Sequence, residues 1–209
     1  MVNASNVNTR SSKFKQERYG ISIVYGLPIS GSILQYFERI KDIVVDRFPG
    51  CYTWYSIENL HSTLIRCKSK SSRISLRSYY GHSFIRSLSS IKKFRMTTSN
   101  ITISDDGAIR LFLNSEDFPL AVSNDLILRF SEDNSLSLTL VKNPWITLAN
   151  LIPNTEIVRK VNSGLSSFWQ NINLDETEIT VNSLKSVYFQ DTGFNNIQIL
   201  EKIGLGQNG

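Results

Sequence analysis

The sequence predicts an α+β fold with an antiparallel sheet and no separable second domain. Segments that alternate like strands are interspersed with segments whose apolar residues are spaced three and four apart, as in amphipathic helices. The two halves of the chain are also similar, because each contains a strand in which a Thr-Leu pair closes a four-residue motif, beginning at His61 and at Trp145. Hydrophobic residues make up 41% of the chain, which suffices for a core and excludes disorder throughout.

The first half of the chain predicts two main strands around one helix. A β-branched and aromatic run at 18–25 ends at a Gly-Leu-Pro loop, and a helical pattern over 32–48 follows it. A short strand at 51–57 precedes a longer strand at 60–67. In that strand, His61 and Thr63 share one face because side chains alternate along a strand.

The second half begins with a helical pattern over 76–91. Alternation on both sides of an Asp-Asp-Gly turn predicts a hairpin of strands at 93–104 and 108–114. The remaining predicted elements are extended segments at 121–130 and 135–140, a strand at 145–151, a helix at 154–171, and strands at 178–189 and 197–203.

Outside these elements, the polar residues 1–16 predict a flexible tail, and residues 17–209 predict one domain. The tail has no apolar stretch typical of a secretory signal, and no segment approaches the roughly 20 apolar residues that span a bilayer. Two isolated cysteines, Cys51 and Cys67, indicate free thiols in a reducing compartment. We therefore expect a cytoplasmic protein that does not associate with a membrane.

Positive charge is concentrated in one part of the chain. The net charge is +5, but residues 59–104 contain nine basic residues and no acidic residue, so the remainder is acidic. Such asymmetry favours a positive face that meets an anionic partner, such as a nucleotide, an RNA end or another phosphorylated small molecule. The alternative is a solvated basic helix that serves only solubility.

The most specific local signal is the pair His61 and Thr63. An imidazole and a hydroxyl on one strand face suit a site where the hydroxyl holds a phosphoryl group and the imidazole moves a proton. Alone, this pair is weak, since a half-exposed strand histidine is common. The downstream strand with Trp145 and Thr147 has the same form and strengthens the signal.

With the loop Gly26-Leu27-Pro28 after the first strand and Asn143-Pro144 before the second motif, the chain resembles the two-histidine (2H) phosphoesterase superfamily, the LigT-like or RNA ligase-like phosphodiesterases. The resemblance covers most of the chain, from about residue 19 to 205. It implies a bilobal, duplicated antiparallel sheet with flanking helices around a central cleft. It also implies a monomer, since one bilobal chain completes the site. By position, the residues it assigns to catalysis are His61, Thr63 and Thr147.

The second histidine of the family falls on Trp145. Indole neither accepts nor releases a proton near neutral pH, so the ordinary two-histidine mechanism is in doubt. Trp145 either fills a retired cleft or stacks on a planar ligand. The resemblance adds Tyr25, Tyr188 and Arg66 as further ligand-binding candidates. The other histidine, His82, lies on the predicted second helix and away from the cleft.

Three functions remain open at this point. The first is a degenerate phosphoesterase-like protein that binds a phosphorylated ligand without the ordinary catalysis. The second is a phosphodiesterase, acting on cyclic or 2′-5′ linked nucleotides, that uses His61 as its single acid or base. The third is a non-catalytic interaction protein. No metal-ligand set and no glycine-rich phosphate loop occurs in the sequence, so we expect neither a metal nor a cofactor.

Overall fold

The computed structural model describes residues 1–8, 17–29, 31–69, 88–115, 136–168, 172, 176–191 and 197–206. The predicted strand at 121–130, most of the predicted helix at 76–91, His82 and residues 9–16 lie outside these described residues.

The strands, in chain order, are β1 (Glu17–Gly26), β2 (Tyr52–Trp54), β3 (His61–Ser69), β4 (Phe94–Ile103), β5 (Ile109–Asn114), β6 (Leu136–Leu140), β7 (Trp145–Leu151), β8 (Glu178–Val181), β9 (Ser183–Asp191) and β10 (Ile197–Gly204). The helices are α1 (Ser32–Arg47) and α2 (Thr155–Phe168), and a 3-10 turn covers Ile57–Asn59.

The ten strands form one sheet, and every strand pairing among the described residues is antiparallel. The order is β10-β9-β1-β3-β7-β5-β4-β8, with β6 also pairing with β3 and β2 also pairing with β7. This confirms the α+β class with an antiparallel sheet. The two strands that begin at His61 and Trp145 are adjacent at the middle of the sheet.

The predicted strand at 178–189 is in fact two strands. β8 pairs with β4 at one end of the sheet, whereas β9 pairs with β1 and β10 near the other end. The break lies at the exposed Asn182, whose carbonyl accepts a hydrogen bond from the Leu205 amide at 3.0 Å. The buried positions shift from odd numbers in β8 (Ile179, Val181) to an even number at the start of β9 (Leu184), so the change of partners accompanies a change of parity.

Both helices pack on one face of the sheet. The main core joins Ile33, Phe37, Ile40 and Val44 of α1, and Val158 and Val161 of α2, to the inward residues of the strands. Phe48 and Phe168 link the two helices, with ring centroids 5.6 Å apart. We call the other face of the sheet, on which neither described helix packs, the open face; it carries a small separate cluster of the buried residues Val24, Leu27 and Val187.

The first eight residues lie against this body, although their composition predicted a flexible tail. A helical turn forms at 4–8, and Val2 and Val7 are buried in the main core. The backbone of Val2 exchanges two hydrogen bonds of 2.9 Å with the side chain of Asn162 on α2. The Asn3 amide donates to the carbonyl of Asp105. Two apolar residues in a polar stretch therefore suffice to attach this segment.

None of the helices in the described part of the chain is both long enough and apolar enough to span a bilayer.

Candidate functional site

The register between β3 and β7 determines which motif side chains meet. Ser62 pairs with Ile146, and both side chains are completely buried on the helix-packed face. Because side chains alternate along a strand, the residues on either side of this pair lie on the open face. These residues are His61 and Thr63 on β3, and Trp145 and Thr147 on β7. Directly opposed side chains of an antiparallel pair have Cβ atoms about 4.5–5.5 Å apart, so the four residues form one group.

Each motif strand also has a β-bulge at the leucine that follows its threonine. The ladder between β3 and β1 skips Leu64, and the ladder between β7 and β5 skips Leu148. Both leucines are completely buried in the main core. The two strands therefore depart from regular pairing at equivalent positions, which strengthens their likeness beyond the short sequence motif.

The bulge at Leu64 brings Arg66 to the open face. Simple alternation from Thr63 would place Arg66 on the helix-packed side, but the extra residue restores it to the face of Thr63, where it pairs with Ser22. The Arg66 guanidinium lies 5.2 Å from the centre of the Trp145 ring. The predicted candidates Arg66 and Trp145 are thus in direct contact.

A second arginine, which the sequence did not single out, contacts the same indole. Arg110 on β5 pairs with Thr147 and lies 5.2 Å from the Trp145 ring centre. Its Nη2 donates to both oxygens of Asp106, at 3.0 and 3.2 Å. The ring of Phe112 adds a tilted contact to the indole, with centroids 6.1 Å apart. Only the cross-strand register reveals Arg110, because it is distant from both motifs in sequence.

His61 is held in one orientation by its own turn. Its Nδ1–H donates to the carbonyl of Asn59 at 2.7 Å, so the neutral ring carries its lone pair on Nε2. Burial lowers the pKa of the imidazole below its usual value, and the hydrogen bond to Asn59 opposes this in part. His61 is therefore uncharged at neutral pH.

A glycine permits the close approach of β1 to His61. Gly26 has φ of +107°, and a Cβ at this position would lie 2.7 Å from the Leu60 carbonyl oxygen and 3.1 Å from the His61 Cα. The Leu27 amide donates to the same Leu60 carbonyl at 3.0 Å. The Gly-Leu-Pro loop thus fixes the beginning of β3, where His61 lies.

The two predicted tyrosines do not join this group. Tyr25 pairs with the buried Ser62, and Tyr188 pairs with Ile21, so the register places both on the helix-packed side of the sheet. Both rings pack against the main core, and burial raises the pKa of Tyr25. The sequence placed them on the correct strands but could not determine the face, which the register decides.

The threonine hydroxyls are available for a ligand. Thr63 and Thr147 are each half-buried, and neither side-chain hydroxyl makes a hydrogen bond within the residues the structure describes. The Arg66 guanidinium likewise has no carboxylate within 4 Å in that part of the chain. Among the described residues there is no group of three or more side chains suited to hold a metal ion.

Comparison with known proteins gives a fold but no family. No family model and no curated protein matches the chain. Among solved structures, the chain is similar to the protein TT0787 of Thermus thermophilus, with a TM-score of 0.54 and 13% sequence identity. The match covers 91% of this chain and all of that one. The chain therefore has the fold of TT0787 over nearly its whole length.

Proposed function

We propose that this chain is a degenerate 2H phosphoesterase-like protein that binds a phosphorylated ligand on its open face. The ligand is a nucleotide, an RNA end or a similar phosphate ester. It lies at His61, Thr63 and Thr147, and the ordinary two-histidine catalysis is lost at Trp145.

The observation that carries this proposal is the equivalence of the two motif strands. They are adjacent, present their motif residues on one face, and bulge at equivalent leucines. The sheet order also supports a duplicated arrangement, since four strands end at β3 on one side and four end at β7 on the other.

The chemistry of the group fits a phosphate ester. Two hydroxyls without protein partners in the described part of the chain, together with a guanidinium, can donate hydrogen bonds to several phosphate oxygens. The arginine also supplies the positive charge expected of the basic part of the chain. Threonine hydroxyls alone would bind many polar ligands; Arg66 favours an anion.

The chemistry and the contacts of Trp145 support the loss of the ordinary catalysis. A positioned acid or base contributes about 10²–10⁴-fold to rate, and indole supplies neither. Here the ring is in contact with two guanidinium groups and a phenyl ring, so it is part of the packed site.

Binding and turnover should be measured together on one panel of 2′,3′-cyclic nucleotides, 2′-5′ oligoadenylates and nucleoside monophosphates. We expect thermal stabilisation without turnover, and loss of stabilisation in Thr63→Val. Trp145→His restores an imidazole opposite Thr63, and cleavage in this variant that requires His61 would identify a retired phosphodiesterase. Absence of both binding and turnover would favour the interaction protein instead.

The second candidate is an active phosphodiesterase that uses His61 alone. The state of His61 favours it: the ring is neutral, and its Nδ1–H is bonded to Asn59, as a general base at Nε2 requires. Wild-type turnover that disappears in His61→Ala, but persists in the control Lys160→Met on the exposed face of α2, would support this candidate over the first.

A further inference from the structure

Two lysines face each other on the open face, away from the motif residues. Lys185 on β9 pairs directly with Lys202 on β10. Directly opposed like charges destabilise a sheet, and a bound anion between them would remove that repulsion. No carboxylate lies within 4 Å of either ammonium group among the described residues.

The lysine pair lies in line with the site. Lys185 also pairs with Val24 of β1, and Val24 pairs with Thr63 of β3. The four residues therefore form one row across the open face, from Lys202 through Lys185 and Val24 to Thr63. Since neighbouring strands are about 4.8 Å apart, Lys185 and Thr63 are separated by about 10 Å, with a neutral residue between them.

Lys185 is held in place, whereas Lys202 is exposed. The Lys185 ammonium donates to the carbonyl of Leu27, in the loop that also bonds the start of β3. Burial, and then the charge of Lys202, lower the pKa of Lys185. A bound anion would relieve both effects, because it would replace the lost hydration of Lys185 and screen it from Lys202.

Two other arginines of the sheet, one of them at the motif residues, are already paired with a carboxylate. Arg110 pairs with Asp106 at 3.0 Å, and Arg95 pairs with Glu178 at 3.4 Å. By contrast, Arg66 at the motif residues and the two lysines two strands away have no acidic partner in the described part of the chain. Among the described residues, these two places on the open face carry positive charge without an acidic partner.

We propose that Lys185 and Lys202 form a second anion subsite, so that the natural ligand carries two phosphoryl groups at separate positions of its skeleton. This inference rests on the proposed function, which assigns the first phosphoryl group to Thr63 and Thr147. A diphosphate is too short to reach both places, because its phosphorus atoms share one bridging oxygen. A nucleoside bisphosphate has the required form.

The test compares adenosine 3′,5′-bisphosphate with 3′-AMP and 5′-AMP by isothermal titration calorimetry at low salt. We expect the bisphosphate to bind at least about tenfold more tightly than either monophosphate, since one charge-assisted contact contributes about that much. Lys202→Met should reduce this ratio to below about twofold, and Lys185→Met should do the same. The matched control Lys160→Met, on the exposed part of α2, should leave it unchanged.

The two proposals fail in different ways. If the monophosphates bind, and Thr63→Val weakens them, but the bisphosphate binds no more tightly, the second subsite is wrong and the proposed function stands. If the bisphosphate keeps its advantage in Lys202→Met and Lys185→Met, its second phosphate lies elsewhere and the subsite is again wrong. If none of the three nucleotides binds, the proposed function fails and the second subsite fails with it.

Discussion

The contact between Trp145 and the two arginines can be measured as a coupling free energy. Removing the indole and one guanidinium, separately and together, gives a double-mutant cycle that isolates their interaction. The variants are Trp145→Leu, Arg66→Met and the double variant, with a second cycle in which Arg110→Met replaces Arg66→Met.

The structure sets the expected magnitudes. Each guanidinium lies 5.2 Å from the ring centre, within the roughly 6 Å range of cation–π attraction. Arg66 is exposed, so its cycle should give about 0.5–1 kcal/mol. Arg110 is half-buried, and its cycle should give about 1–2 kcal/mol. Loss of the ion pair with Asp106 occurs in the single and double variants alike, so it cancels within the second cycle.

Urea denaturation followed by far-ultraviolet circular dichroism is the suitable assay, because fluorescence changes when the tryptophan is removed. The control cycle combines Trp145→Leu with Lys160→Met and should give no coupling. If both arginine cycles give less than about 0.2 kcal/mol, well below the expected range, the arginines do not hold the indole. Trp145 would then be a filler of the site and nothing more.

Three further predictions concern stability. Because the pKa of His61 is lowered in the folded chain, the unfolded chain binds the imidazole proton more readily as pH falls below about 6.5. Urea titrations from pH 7.5 to 5 should therefore show that the free energy of unfolding of wild type falls relative to that of His61→Gln. Ser62→Ala should stabilise the fold by about 1 kcal/mol, because the buried Ser62 hydroxyl has no hydrogen-bond partner in the described part of the chain. Val7→Ala should lower the free energy of unfolding by about 1–3 kcal/mol, since the side chain is buried in the core.

Each of these three predictions has a result that would contradict it. An unchanged difference between wild type and His61→Gln across the pH range would mean that burial does not shift the imidazole. A destabilised Ser62→Ala would show that the hydroxyl is bonded after all. If Val7→Ala changes the free energy of unfolding by less than about 0.5 kcal/mol, as an ordinary surface substitution does, the flexible tail predicted from composition is supported instead.

Local patterns in the sequence predicted most strands and both described long helices, because alternation and helical spacing reflect burial on one face. They failed where one residue changes the parity of a strand or where the chain changes partners. Arg66 reaches the face of Thr63 only through the bulge at Leu64, and Tyr25 lies on the other face. At Asn182, likewise, the chain leaves one pairing partner, β4, and continues along another, β1. Such features depend on pairing between distant segments, which a single sequence does not display.

The alternation of β7 separates the residues that hold the strand from those that face the candidate site. Ile146 and Leu148 are completely buried on the helix side, while Trp145 and Thr147 are only partly covered on the other. A change of side chain at Trp145 therefore leaves the anchoring residues untouched. A substitution at Trp145 can therefore alter the chemistry of this face at the cost of the contacts with Arg66, Arg110 and Phe112, while the helix-packed side stays unchanged. In evolution, a scaffold of this kind lets function drift at one surface while selection for folding acts on the other.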